Sequence, residues 1–166
     1  KKTIGKIDHY VTGSTFTRVG NSMVGYITLT DRFTHLDNSN NPLVYKEKEN
    51  RAIIALAVIR NAETKNFSTY QNKIVADLNN QLRKNQIKDL ATKGISLGDH
   101  EGFMVSYHKL PSKELNMEYY IYIADKHEVR KIVIKTADDL SKYRELISSY
   151  YTEYNNNKNQ TIQING

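Results

Sequence analysis

The sequence predicts an α+β fold, an antiparallel β-sheet with helices packed on it. Three observations carry that prediction. Ile53 to Ile59 is an unbroken apolar run, the pattern of a central strand covered on both faces. Glu118 to Ala124 and Val129 to Lys135 are β-forming runs joined by the short polar turn Asp125-Lys126-His127-Glu128, the pattern of an antiparallel meander. Two further stretches repeat apolar residues at helical spacing, one after Ser68 and one after Thr136.

In chain order, Met23 to Thr30 is rich in β-formers and alternates in part, so it reads as a strand. Thr15 to Val19 is its hairpin partner, turning at Gly20-Asn21. His35 to Pro42 is a loop by its turn residues. The first helix takes Ser68 as N-cap, and Tyr70, Ile74, Leu78 and Leu82 form its apolar stripe with Val75 beside them; it ends before Gly94. Phe103 to Lys109 is the strand that precedes the meander. The second helix opens at Thr136, whose hydroxyl with Asp139 resembles a capping box. Its stripe is Leu140, Tyr143, Ile147, Tyr150 and Tyr154, flanked by Leu146 and Tyr151. Residues 1–154 thus form one α+β domain. Residues 155–166 form a flexible polar tail, although Thr161-Ile162-Gln163-Ile164 alternates as an edge strand would.

Composition narrows the function classes. A chain of 166 residues, 39% hydrophobic and 25% charged, builds an ordinary soluble core, and no apolar run approaches the roughly 20 residues that cross a bilayer. Cysteine is absent, which removes disulfides, thiolate nucleophiles and thiolate zinc sites. The chain opens Lys1-Lys2-Thr3-Ile4-Gly5 without an apolar signal segment, so it is either cytoplasmic or has lost a targeting segment. Abundant Asn, Lys, Ile and Tyr with no cysteine suit an exported protein of an AT-rich bacterium, which favours the extracellular side of the cell envelope. The net charge of +6 favours anionic partners, but the basic residues are interleaved with acids.

The segment Val24-Gly25-Tyr26-Ile27-Thr28-Leu29-Thr30-Asp31-Arg32-Phe33, together with the closing strand and helix from Val129 to Tyr154, resembles the PsbP/Mog1-like fold and its bacterial PsbP-like lipoprotein group. Thr30 stands where that family usually carries proline. The resemblance implies a non-catalytic adaptor of a Gram-positive envelope, held at the membrane only through an N-terminal anchor since removed. Its partner would be a protein or an anionic cell-wall polymer.

No motif for catalysis stands out. The five histidines form neither a helical His-x-x-x-His pair nor an HExxH motif, and Asp99-His100-Glu101 reads as a polar turn before the Phe103 strand. No G-x-S-x-G elbow presents a serine, and Ser106 with His108 share one face of a strand. Gly94, Gly98 and Gly102 lack the spacing of a phosphate cradle. The expectation is therefore a binding module that is not an enzyme, with no cofactor and no metal. A small hydrolase is one alternative. A nucleic-acid-binding accessory protein is the other, disfavoured because Lys131 to Lys135 lacks the glycine and paired aromatics of an RNA-binding strand.

Candidate partner-binding residues come from the tyrosine excess, 12 with no tryptophan. Tyr120 and Tyr122 share one strand face, and Tyr119 shares the other with Ile121 and Ile123. Exposed, Tyr120 and Tyr122 would form a flat stacking surface beside Arg130, Lys131 and Lys135. Alternation splits those three cations, with Arg130 opposite to Lys131 and Lys135.

Overall fold

The computed structural model describes residues 16–36, 39–139, 143–152 and 161–165. Ten strands lie among them: β1 (Phe16–Asn21), β2 (Gly25–Thr30), β3 (Phe33–His35), β4 (Leu43–Glu47), β5 (Ala52–Ile59), β6 (Ile87–Leu97), β7 (His100–Lys109), β8 (Leu115–Ile123), β9 (Glu128–Thr136) and β10 (Ile162–Ile164). The α-helices among them are α1 (Phe67–Arg83) and the short α2 (Arg144–Ser148). β1 and β2 form a separate antiparallel ribbon, and the remaining eight strands form one sheet in the order β10-β6-β7-β8-β9-β5-β4-β3. Each neighbouring pair in that sheet is antiparallel. The protein is a β-rich α+β fold.

Alternation sends successive side chains of each strand to opposite faces, and the two faces build two cores. On the first, Ile54, Leu56, Ile132, Ile134, Met117, Tyr119 and Ile121 are buried beneath the β1–β2 ribbon and the segment around α2. The ribbon contributes Val24, Ile27 and Leu29, and the α2 segment contributes Tyr143, Leu146, Ile147 and Tyr150. Backbone pairing fastens the two covers together: Tyr26 and Tyr151 exchange N–H···O bonds of 2.7 and 2.9 Å. The Tyr150 hydroxyl donates to the Val24 carbonyl at 2.7 Å. Gly25 has φ +94°, and a Cβ there would collide with the Tyr150 hydroxyl, so close approach and backbone conformation both require glycine.

On the second face, α1 lays Phe67, Tyr70 and Leu78 over Ile87, Phe103, Val105, Tyr107, Tyr120, Tyr122 and Val129. Asn66, not Ser68, caps this helix, its side chain accepting from the Thr69 N–H at 3.0 Å. A 3-10 turn at Ala62–Lys65 leads into it, and the buried Thr64 hydroxyl donates to the His127 carbonyl at 2.6 Å, tying that turn to the β8–β9 connection. Of the predicted stripe, Tyr70 and Leu78 are buried and Ile74 is partly so, whereas Leu82 at the C-terminal end is exposed.

Four further sequence expectations are corrected, and one is borne out in part. Ile53–Ile59 is fully buried on one face only: on the other, Ile59 packs against the α1 cluster and Ile53, Ala55 and Ala57 stay partly exposed. Thr136 ends β9 instead of opening a helix: its hydroxyl donates to the Arg51 carbonyl at 2.7 Å and accepts the Asp138 N–H at 2.9 Å. Tyr143, Ile147 and Tyr150 of the second stripe are buried, while Leu140 and Tyr154 lie outside the described residues. The stretch after α1 is the strand β6, and β3 with β4 flank the 35–42 loop. Ile162–Ile164 of the expected tail pairs with Leu97, Ser96 and Ile95 as an edge strand; residues 155–160 and 166 of the tail lie outside the described residues.

Candidate binding face

The β5–β9 pair carries a line of apolar side chains on the α1 side that α1 leaves open. Ile53, Ala55, Ala57 and Ile59 of β5, Val133 of β9 and Val44 of β4 line an open groove of about 450 Å³. All six are only partly buried. The loop before β4 is fixed against β5 by Asn41, whose side chain donates to the Val58 carbonyl at 3.1 Å and accepts the Val58 N–H at 3.0 Å. That clamp seats Pro42 at the groove's end.

The charged groups on this groove are Lys131, Lys135 and Glu118. Lys131 and Lys135 face the same way, as alternation requires, and both are partly exposed. The Lys131 ammonium sits 5.3 Å from the Tyr120 ring centroid, within cation–π range. Glu118 accepts from two phenols, Tyr107 at 2.6 Å and Tyr120 at 2.5 Å. Burial, aided by the Glu118 carboxylate, pushes both phenols well above the ordinary tyrosine range, so they remain donors. Burial, with smaller contributions from Glu63 and Glu118, pushes Tyr70 up to about 12.

The five expected partner-binding residues separate into three environments. Tyr120 and Tyr122 share a face, but it lies under α1: Tyr120 is 1% exposed and stacks on Phe103 at 4.6 Å, and Tyr122 stacks on Phe67 at 4.8 Å. They are a buried aromatic layer and not an open stacking surface, because Phe67 and Tyr70 of α1 fill the space above them. Arg130 is 2% exposed on the opposite face. Its guanidinium pairs with Glu128 at 2.9 Å and donates to the carbonyls of Thr152 and Ser22 at 3.4 and 3.3 Å, so it faces the interior. Lys131 and Lys135 alone of the five open onto the groove.

Sequence reasoning passed over Glu118 and the odd-numbered side of β5. Glu118 was accessible to it, since i and i+2 spacing puts Glu118 on the Tyr120 side of the strand. The open side of β5 carried no such mark, because both sides are apolar.

His100 opens β7 after a turn at Gly98-Asp99, and among the described residues no three His, Asp or Glu side chains form a group that could hold a metal ion. The His108 Nδ1 lies 3.1 Å from an Asp89 carboxylate oxygen, and Ser106 lines a different cavity on the first face. No helix among the described residues is long and apolar enough to cross a membrane. No protein-family model matches the chain, and no curated protein is significantly similar to it.

Proposed function

We propose that this protein is a non-catalytic binding module of the bacterial cell envelope, whose open groove docks an acidic, amphipathic segment of a protein partner. The observation that carries this reading is the uncovered apolar line on β4, β5 and β9, flanked by the ammonium groups of Lys131 and Lys135. Apolar area supplies association energy, and the two lysines select for carboxylates. A protein segment fits better than a wall polymer, since a polyanion has little apolar surface to set against Ile53, Ile59 and Val133. The residues that line the groove offer area and charge rather than a nucleophile beside a base. A sheet with α1 on one face and the ribbon and α2 on the other supports a PsbP/Mog1-like sandwich, and with it an anchored adaptor role.

Amide chemical-shift mapping tests this reading with three probes: an acidic Leu/Glu amphipathic peptide, its basic Leu/Lys counterpart, and purified anionic wall polymer. The acidic peptide is expected to shift Val44, Ala55, Ala57 and Val133, and reversing both charges (Lys131→Glu with Lys135→Glu) is expected to abolish those shifts. Equal binding of the basic peptide would remove the charge argument. Shifts of the same residues by wall polymer alone would replace the protein partner with the polymer.

A further inference from the structure

The opposite face of the sheet holds a second cavity, of about 410 Å³, between β6–β8 and the α2 segment, with β10 along its side. That volume lies within the range of small-molecule pockets. Its interior is lined by Met104, Leu115, Met117, Ile147 and Ile162. Two of these are thioethers, which adapt to flexible chains better than branched side chains do. Among the described residues, the charged ones that line the cavity are Lys93 and Arg144, both exposed, and none is a carboxylate. Among the described residues neither cation forms an ion pair.

A buried donor also faces this space. Tyr119 is 5% exposed and lines the cavity, and its hydroxyl donates to the Met117 Sδ at 3.9 Å, a weak acceptor. A buried hydroxyl ordinarily finds an oxygen partner, so this one has capacity left for a ligand. Burial pushes its pKa up to about 12, against the lowering influence of Arg144. It is therefore a neutral donor close to a cation.

We propose that this cavity binds a single-chain amphiphile with a monoanionic head: the tail lies among Met104, Leu115, Met117 and Ile147, and the head is held by Arg144, Lys93 and the Tyr119 hydroxyl. A carboxylate suits this set, because guanidinium, ammonium and phenol all donate and an anionic oxygen accepts from each. A cationic amphiphile would meet two like charges at the rim. The groove of the proposed protein partner lies on the other side of the sheet, so the two readings stand or fall separately.

Titration calorimetry with sodium decanoate, laurate and myristate, each below its micelle concentration, tests the proposal on the full chain. Saturable 1:1 binding is expected, tightening roughly fourfold for each added methylene that enters the cavity. Reversing the rim charges (Lys93→Glu with Arg144→Glu) is expected to weaken laurate binding at least tenfold, and both positions are exposed enough to leave folding intact. Tyr119→Phe is expected to weaken it severalfold with the chain-length dependence retained. Ser106→Leu, which fills the cavity from β7, is expected to abolish binding without lowering the melting temperature, whereas Lys131→Glu on the other face is expected to leave it unchanged. Dodecyltrimethylammonium binding as tightly as laurate would overturn the proposal, as would laurate binding indifferent to both the rim reversal and Ser106→Leu.

Discussion

Ile53 and Ile54 are neighbours in β5, identical in chemistry and opposite in circumstance. Ile54 is fully buried, with Leu56 beside it, beneath the ribbon and the α2 segment; Ile53, on the other side of the same strand, is only partly buried in the groove beside α1. β9 repeats the contrast in charge: Glu128 and Arg130 are paired and buried on the covered face, while Lys131 and Lys135 open onto the groove. Residue type therefore does not distinguish the faces; the cover does. A single cover of about 25 Å, the length of a 17-residue helix at 1.5 Å per residue, does not span an eight-stranded sheet, so part of one face stays open.

The contrast can be broken most sharply by placing the same charge on each side of β5. Ile54→Asp puts an unpaired carboxylate in the core and is expected to cost upwards of about 4 kcal/mol, while Ile53→Asp, which can reach water, is expected to cost about 1 kcal/mol. Urea denaturation reads both, and equal costs would mean that the two faces are equally covered. The same comparison on β9 gives the next effect. Arg130→Met leaves Glu128 with Arg60 as its remaining partner, 2.8 Å away, and is expected to cost about 3 kcal/mol. Lys131→Met with Lys135→Met is expected to change stability by less than about 0.5–1 kcal/mol, the scale of one exposed cation–π contact.

Glu128 sharpens the comparison through pH. Burial alone would push its carboxyl up, but hydrogen bonds and charge from Arg60 and Arg130 carry it below the ordinary glutamate value. A carboxyl depressed in the folded state contributes stability above its unfolded pKa of about 4.3, and that contribution is lost as pH falls through the folded value. The Glu128→Gln difference in unfolding free energy is therefore expected to be constant near neutrality and to shrink below about pH 4. A difference that stays constant into strong acid would show that the pairing does not hold the charge. The smallest expected effect is at the sheet edge: removing residues 161–166 is expected to lower the melting temperature by only a few degrees. Hydrogen exchange would then speed up at the amides of 95–97 and leave the centre of β8 protected.

Much of the sheet was legible because its strands are dense in β-formers: β2, β5, β7, β8 and β9 lie where their patterns put them. Alternation also separated Tyr119 from Tyr120, and Arg130 from Lys131, correctly. What it could not supply is which side of a strand is covered, since that depends on where α1 and the ribbon dock. For this reason the pattern alone did not decide whether Tyr120 and Tyr122 form an open stacking surface, and they lie under Phe67 and Tyr70. β6 was invisible for a different reason. Its middle residues Ala91, Thr92, Lys93 and Gly94 are exposed near the sheet's edge, where nothing selects for an apolar pattern, and a register shift between Lys88 and Ala91 interrupts what periodicity there is. The second helix was read too early because Thr136 and Asp138 make a turn that uses the same side-chain-to-backbone bond as a helix cap.

The pairing of Tyr26 with Tyr151 joins residues from opposite ends of the described chain, and this sets an order of events during synthesis. Chain emerges from the ribosome N-terminal end first, at about 5–20 residues per second. The β1–β2 ribbon is therefore complete several seconds before residues 143–151 exist to receive it. During that interval Val24, Ile27 and Leu29 have no final resting place, and the Thr28 N–H awaits the Ser149 hydroxyl that accepts from it at 3.0 Å. The face of the sheet that ends up most completely covered is thus the last to close on a growing chain. A nascent protein stalled short of residue 143 presents that apolar surface to whatever chaperone waits at the exit.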